Sequence, residues 1–303
     1  MKRLFLITCA LASVLSPAVT FAAAVSPSVI ELSASRGEDL DSTFTILNTG
    51  ASEQMYFLDL LAFEPDGEDG TPVFTSQEAS QNEFLSWINF PVREISVPAT
   101  SKVDVPFQVV VPDDVVSGSY YGAITVSSAP TDVVASNGAI VEAKTAILVF
   151  MTVEGETVEK LELLDFMFEQ TDSTLPFGTF RYRLQNQGNV HLSPMGEIIL
   201  TGPLGQTIVK LDANESQGRV LPSSTRTYEV TLNPGDMSWI DRAGYQLRHL
   251  MFGPLTAELA LTYGQSKTVT SQTTIQMIPV ELLSLLAVSV MLFALLLRKQ
   301  KKQ

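Results

Sequence analysis

The segment Glu64-Pro-Asp66-Gly-Glu68-Asp69-Gly70 sets four carboxylates among glycines that bend the chain. Hard oxygen donors on a bent loop are what a calcium ion takes, so Asp66, Glu68 and Asp69 are candidate ligands. The order departs from the EF-hand series, because Pro65 and Gly67 fill the intervening places and Gly stands at 70; a solvated acidic turn is the expected reading. Trp87, Tyr120 and Tyr121 form the other possible binding surface, since sugar rings stack on exposed aromatic faces. On a strand, Tyr120 and Tyr121 point to opposite faces, so at most one of them belongs to a core. The two histidines, His191 and His249, stand in neither HxxxH nor HExxH spacing. There is no G-x-S-x-G, S-x-x-K or P-loop. We therefore assign no catalytic, cofactor-binding or metal-ligating residue, expect no cofactor, and expect a protein that is not an enzyme.

Composition narrows the partners. The 303 residues are 45% hydrophobic and 17% charged, too apolar for a disordered chain. A net charge of -14 leaves no basic footprint for nucleic acid, which is excluded as a partner. The middle of the chain is more acidic still, because Lys2, Arg3, Arg298, Lys299, Lys301 and Lys302 all lie at the ends.

Those ends read as targeting segments. Residues 1–24 open with Lys2 and Arg3, run through an apolar stretch and close on Ala22, Ala23 and Ala24, the pattern of a signal peptide cut after Ala22 or Ala24. The single cysteine, Cys9, falls inside it, so the exported chain is expected to carry neither disulfide nor thiolate site. Residues 278–297 are predominantly apolar with Glu281 the only charge, and a helix of that length spans ~30 Å, the hydrocarbon thickness of a bilayer. The basic tail 298–303 then faces the cytoplasm and everything upstream lies outside. Glu281, in the first turn of the span, is expected at the outer membrane interface.

What positions the candidate residues is a set of strands. Thr43–Leu47, Val103–Val111, Ala123–Ser127, Arg181–Leu184 and Leu255–Tyr263 alternate or run short and β-branched between Gly, Pro, Asn and Asp. No amphipathic helix of three turns stands out. A weak repeat runs through the chain: Asn48-Thr-Gly50, Val97-Pro98 and Gly118-Ser-Tyr120 recur in order as Asn186-Gln-Gly188, Leu221-Pro222 and Gly244-Tyr245. We attribute the Asn-x-Gly pairs to the left-handed backbone of tight turns. The fold class is thus all-β, two tandem immunoglobulin-like β-sandwiches, residues 25–155 and 156–277, between the signal peptide and one transmembrane helix.

Phe44-Thr-Ile-Leu-Asn48-Thr-Gly50, Trp87-Ile-Asn-Phe-Pro91, Val111-Pro112 with Gly118-Ser-Tyr-Tyr-Gly122, and Asn186-Gln-Gly-Asn-Val-His191 with Pro194 and Gly196 resemble the WxL-interacting proteins of bacterial surfaces. That resemblance implies a peptidoglycan-binding-like first sandwich, a second sandwich, one membrane helix and a short basic tail. Two-domain pilus chaperones also look similar, but they are soluble, unlike a chain with this span and tail. Two functions follow. The first is a membrane-anchored surface scaffold presenting its sandwiches to cell-wall polymer or another surface protein, with Trp87, Tyr120 and Tyr121 as ligand-binding side chains. The alternative is an envelope assembly factor that binds secreted subunits by adding a strand to an open sheet edge.

Overall fold

The computed structural model describes residues 23–76, 82–128, 144–233 and 235–300. The signal peptide up to Ala22 and the last three tail residues lie outside the described residues. The chain is all-β, two immunoglobulin-like sandwiches followed by a C-terminal apolar helix. It forms two compact units that divide between Glu154 and Gly155, with Glu64–Val73 and Ser117–Ser119 belonging to the second.

The strands that build the first unit are β1 (Ala24–Ser26), β2 (Val29–Ala34), β3 (Asp39–Leu47), β4 (Gln54–Asp66), β5 (Thr71–Ser76), β6 (Ile88–Asn89), β7 (Glu94–Val97), β8 (Lys102–Val110), β9 (Gly118–Ser127) and β10 (Lys144–Val153). One sheet has the order β1-β3-β8-β6; the other runs β2-β10-β9-β4-β5, with β7 beside β4. Strands β1 and β2 are consecutive in the chain yet belong to opposite sheets, and β2 pairs with β10 in parallel. The period-two pattern accounts for the core: Phe44 and Ile46 point inward while Thr43 and Thr45 do not, and facing Val105 and Phe107 do the same on β8. These side chains, with Leu58, Leu60, Ile124 and Val126 from the other sheet, are buried together.

The second unit contributes β11 (Leu161–Gln170), β12 (Gly178–Asn186), β13 (Met195–Thr201), β14 (Thr207–Asp212), β15 (Thr225–Leu232), β16 (Gly253–Tyr263) and β17 (Lys267–Met277). Its sheets are β11-β12-β15 and β14-β13-β16-β17. Phe180, Tyr182, Leu184, Leu255, Ala257 and Leu259 fill the space between them. Tyr182 and Tyr228 stack at 4.9 Å, and each phenol finds a carbonyl, Ala213 at 2.5 Å and Gly218 at 3.0 Å.

The repeat has a physical basis other than the expected left-handed turn. Neither Asn48 nor Asn186 has a positive φ. Instead, each asparagine is buried and bonds the ends of neighbouring segments. Asn48 Nδ2 donates to Val97 O and Ser52 O while its Oδ1 accepts from Gly50 N. Asn186 Nδ2 donates to Val190 O and Val220 O while its Oδ1 accepts from Gly188 N. Gly188 is required by close approach, because a Cβ there would lie 1.9 Å from Val158 O.

Two helices complete the second unit, α1 (Trp239–Arg248) and α2 (Val280–Gln300). Helix α1 is the element that apolar periodicity does not reveal. Ser238 caps it, accepting from Asp241 N at 3.3 Å and donating to Asp241 Oδ2 at 2.6 Å. Helix α2 is long and apolar enough to cross a membrane, with a mean hydropathy of 2.6 and little of it buried in protein. Glu281 stands in the first turn of α2. It is buried, and Arg242 and Gln246 of α1 both donate to its carboxylate.

Candidate functional site

The structure separates the three aromatic residues expected to bind ligand. Asn82 opens a 3₁₀ turn, Glu83–Trp87, by accepting from Phe84 N at 3.1 Å, and the turn buries Phe84, Leu85 and Trp87. The Trp87 ring is only 4% exposed, wedged 5.5 Å from Phe84 and 4.6 Å from Tyr120. Tyr120 faces this core, and its hydroxyl donates to Val116 O at 2.8 Å. Burial and then the nearby Glu83 carboxylate push its phenol above the ordinary range, against the bond to Val116 and the charge of Arg36. Tyr121 turns to the opposite face, with Phe63 at 5.1 Å and Phe150 at 6.4 Å. The expected sugar-stacking surface therefore lacks its tryptophan.

The acidic loop becomes the tip between β4 and β5. Glu68 is half-exposed, but both its carboxylate oxygens are already engaged. Its Oε1 accepts from Arg183 at 2.5 Å and its Oε2 from Arg183 at 2.7 Å and Thr227 at 3.1 Å. The Arg183 bonds hold its carboxyl below the usual carboxylate range despite some desolvation. Asp66 and Asp69 do not join it: among the described residues no group of three or more His, Cys, Asp or Glu is placed to hold a metal ion. His191 is a corner residue, its Nδ1 2.7 Å from Ser119 Oγ and its backbone N–H donating to the same oxygen.

The feature with unused bonding capacity is the rim of the second unit. Strands β11 and β17 are edge strands of opposite sheets. They are stapled together at both ends. Lys267 Nζ donates to Glu159 O at 2.7 Å and Gln265 N to Glu159 Oε2 at 3.0 Å at one end; Ile278 N donates to Ser173 O at 3.1 Å at the other. Between the staples lies an open cleft of about 560 Å³, walled by Lys160–Asp165 and Val269–Ser271. Asp165 Oδ2 accepts from Arg183 at 3.1 Å, but its Oδ1 is buried without a hydrogen-bond partner.

Other edges of the two units are short or blunted. Strands β1, β2, β6 and β14 have six residues or fewer, and β5 carries Pro72. Pro106 interrupts the donors of β8, and β11 has a bulge between Leu163 and Asp165. Strand β15 has its Thr227 N–H taken by Glu68 O at 2.7 Å. Strand β17 has none of these devices: eleven residues, no proline, no glycine and no bulge against β16. Its outward donors can be placed. In an antiparallel ladder the N–H and C=O of one residue share a side and alternate along the strand. Gln276 O accepts from Gln170 across the seam, so Thr270, Gln272 and Thr274 present their backbone groups there as well. No sequence motif marked this site; the signal available was an uninterrupted β-branched and Thr/Gln-rich run without a proline.

No family model matches the chain, and no curated protein does. Solved structures do. A chain from a chaperone and tip-adhesin complex of CFA/I fimbriae matches at 10% identity and a TM-score of 0.41, over 83% of this chain and 98% of its own. The class 5 fimbriae chaperone CfaA matches at 11% and 0.40, over 85% and 99%. The Pseudomonas aeruginosa chaperone CupB2 matches at 9% and 0.37, over 82% and 98%. The expected kinship with WxL-interacting proteins is corrected: these neighbours are fimbrial chaperones, and no WxL family model is matched. The wall-polymer scaffold and its peptidoglycan partner go with it, since Trp87 is packed inside the first sandwich rather than offered to a sugar ring.

Proposed function

We propose that this chain is a non-enzymatic envelope assembly factor that holds an extended segment of a secreted polypeptide on the free edge of β17. The long, regular edge of β17, which is not hydrogen-bonded into a ladder where it faces β11 across the cleft, carries this reading. Main-chain bonds to Thr270, Gln272 and Thr274 supply affinity in such a mode, and alternate side chains of the guest, dropping toward Leu161, Leu163 and Val269, supply selection. The neighbouring solved proteins are described as chaperones of fimbrial subunits or tip adhesins, and this reading is of the same type. Helix α2 would fix the sandwiches to the outer side of the membrane, with Arg298 and Lys299 on the cytoplasmic side.

The test is binding of the full chain, in detergent, to an array of ten-residue peptides tiled over the exported proteins of the same cell. Gln272→Pro removes one seam-facing donor and should weaken the best binders at least about tenfold. Gln272→Ala keeps the backbone and should bind as the parent does. Equal binding by parent and Gln272→Pro would reject the edge.

A further inference from the structure

We infer that helix α1 lies on the outer leaflet of the bilayer, its exposed apolar face entering the lipid interface beside the start of α2. The inference rests on α2 crossing the membrane. Helix α1 is amphipathic in the reverse of the usual sense. Two of its polar residues, Arg242 and Gln246, one turn apart, point into the protein, and Gln246 is completely buried. On the other side Ile240 and Leu247 stand out at 70% and 56% exposure, with only Gly244 between them along the stripe. Trp239 at one end and Phe252 just beyond the other are exposed as well. A soluble sandwich does not gain from showing four large apolar side chains around a ten-residue helix.

What covers them is indicated by what α1 is tied to. Arg242 Nε donates to Glu281 Oε1 at 2.6 Å, Gln246 Nε2 to Glu281 Oε2 at 2.5 Å, and Leu282 N to Gln246 Oε1 at 3.0 Å. These bonds fix α1 to the first turn of α2, the turn at which the apolar span begins. Ile278, Val280 and Leu283 around that turn are exposed too, so apolar side chains are open on both α1 and the start of the span. Lipid is the medium that α2 requires along its length, and α1 is held at the level where that medium starts. An interfacial helix with an aromatic residue at its end and a basic residue, Arg248, in its last turn is the form that headgroup-level helices take.

The experiment uses the full chain with Cys9→Ser, carrying one nitroxide-labelled cysteine at a time, in phosphatidylcholine vesicles. Ile240→Cys and Leu247→Cys test the helix, Ser289→Cys reports the span, and Thr262→Cys is the water control, roughly 30 Å along β16 from the end nearest α1. Labels at 240 and 247 should be reached by oxygen several-fold better than by a water-soluble nickel chelate, as at 289 but shallower, with the reverse at 262. If 289 is in lipid while 240 and 247 match 262, the inference fails and the span stands. Labels at 240 and 247 shielded from both reagents would mean a protein covers α1, which also overturns it. A label at 289 open to nickel would reject the span and the inference together. A second readout needs no label: in Trp87→Phe the remaining indole, Trp239, should be quenched by brominated lipid.

Discussion

Arg242 Nε donates to Glu281 Oε1 across 2.6 Å, so a guanidinium on α1 holds a carboxylate in the first turn of α2. The same guanidinium reaches Asp172 Oδ2 at 2.5 Å through Nη2, and Thr174 Oγ1 stands within hydrogen-bond distance of both carboxylates. One cation thus stands between two acids, with Gln246 closing the network. It joins α2 to its own sandwich by bonds rather than by a loose tether.

Removing that cation should be costly. Arg242→Ala leaves Glu281 buried without its ion partner, a loss of about 2–4 kcal/mol, below the full cost of breaking a buried pair because Arg242 keeps some exposure. Urea unfolding of the full chain in detergent measures it. Adding Glu281→Gln should recover part of the loss, and a double variant no better than the single one would show that the two groups are not coupled.

The network also sets an acid limit. Burial pushes the Asp172 carboxyl up, but bonds from Arg242 and Thr174 outweigh burial and hold it below its ordinary value. A carboxylate lowered in the folded state contributes its full stability above the unfolded value of about 4 and loses it as pH falls through the lower folded value. Arg242 stays charged throughout. Unfolding followed from about pH 6 to about pH 2 should therefore show a steeper acid loss in the parent than in Asp172→Asn.

The paired asparagines should prove structural. Asn186→Ala leaves the Val190 and Val220 carbonyls and the Gly188 N–H short of a buried partner, which should cost about 2–4 kcal/mol. Asn48→Ala should cost a similar amount in the first unit. Thermal unfolding distinguishes this from the few tenths expected if asparagine served only to favour a turn.

Trp87 and Tyr121 should part company. Trp87→Ala empties a core position and should destabilise by about 3–5 kcal/mol. Tyr121→Ala, on the other face, should cost less. Neither change should alter sedimentation with peptidoglycan sacculi, and a loss of such sedimentation with folding intact would revive the aromatic sugar surface.

Much of the fold is legible in the sequence because its strands alternate cleanly. Thr43–Leu47, Val103–Val111 and Leu255–Tyr263 lie within or almost wholly within β3, β8 and β16. The positions of Asn48 and Asn186 are legible as well, but their reason is not, since a side chain that bonds distant carbonyls reads like one that merely turns the chain. Helix α1 escapes notice because its large apolar residues Ile240 and Leu247 face outward while Arg242 and Gln246 face inward. Glu281 shows its place in a span, whereas its partner lies 39 residues earlier and carries no local mark. Trp87 illustrates the limit of composition: an aromatic residue that could stack on a sugar is written the same way as one that fills a core. The edge of β17 is marked only by what it lacks.

The proposed function stands or falls with that edge, and amide hydrogen exchange of the full chain with and without its best-binding exported peptide probes it residue by residue. Strand addition requires the seam-facing amides of Thr270, Gln272 and Thr274 to slow markedly when peptide is present, while those already paired with β16 change little. Unchanged exchange along β17, with the peptide bound, would rule strand addition out.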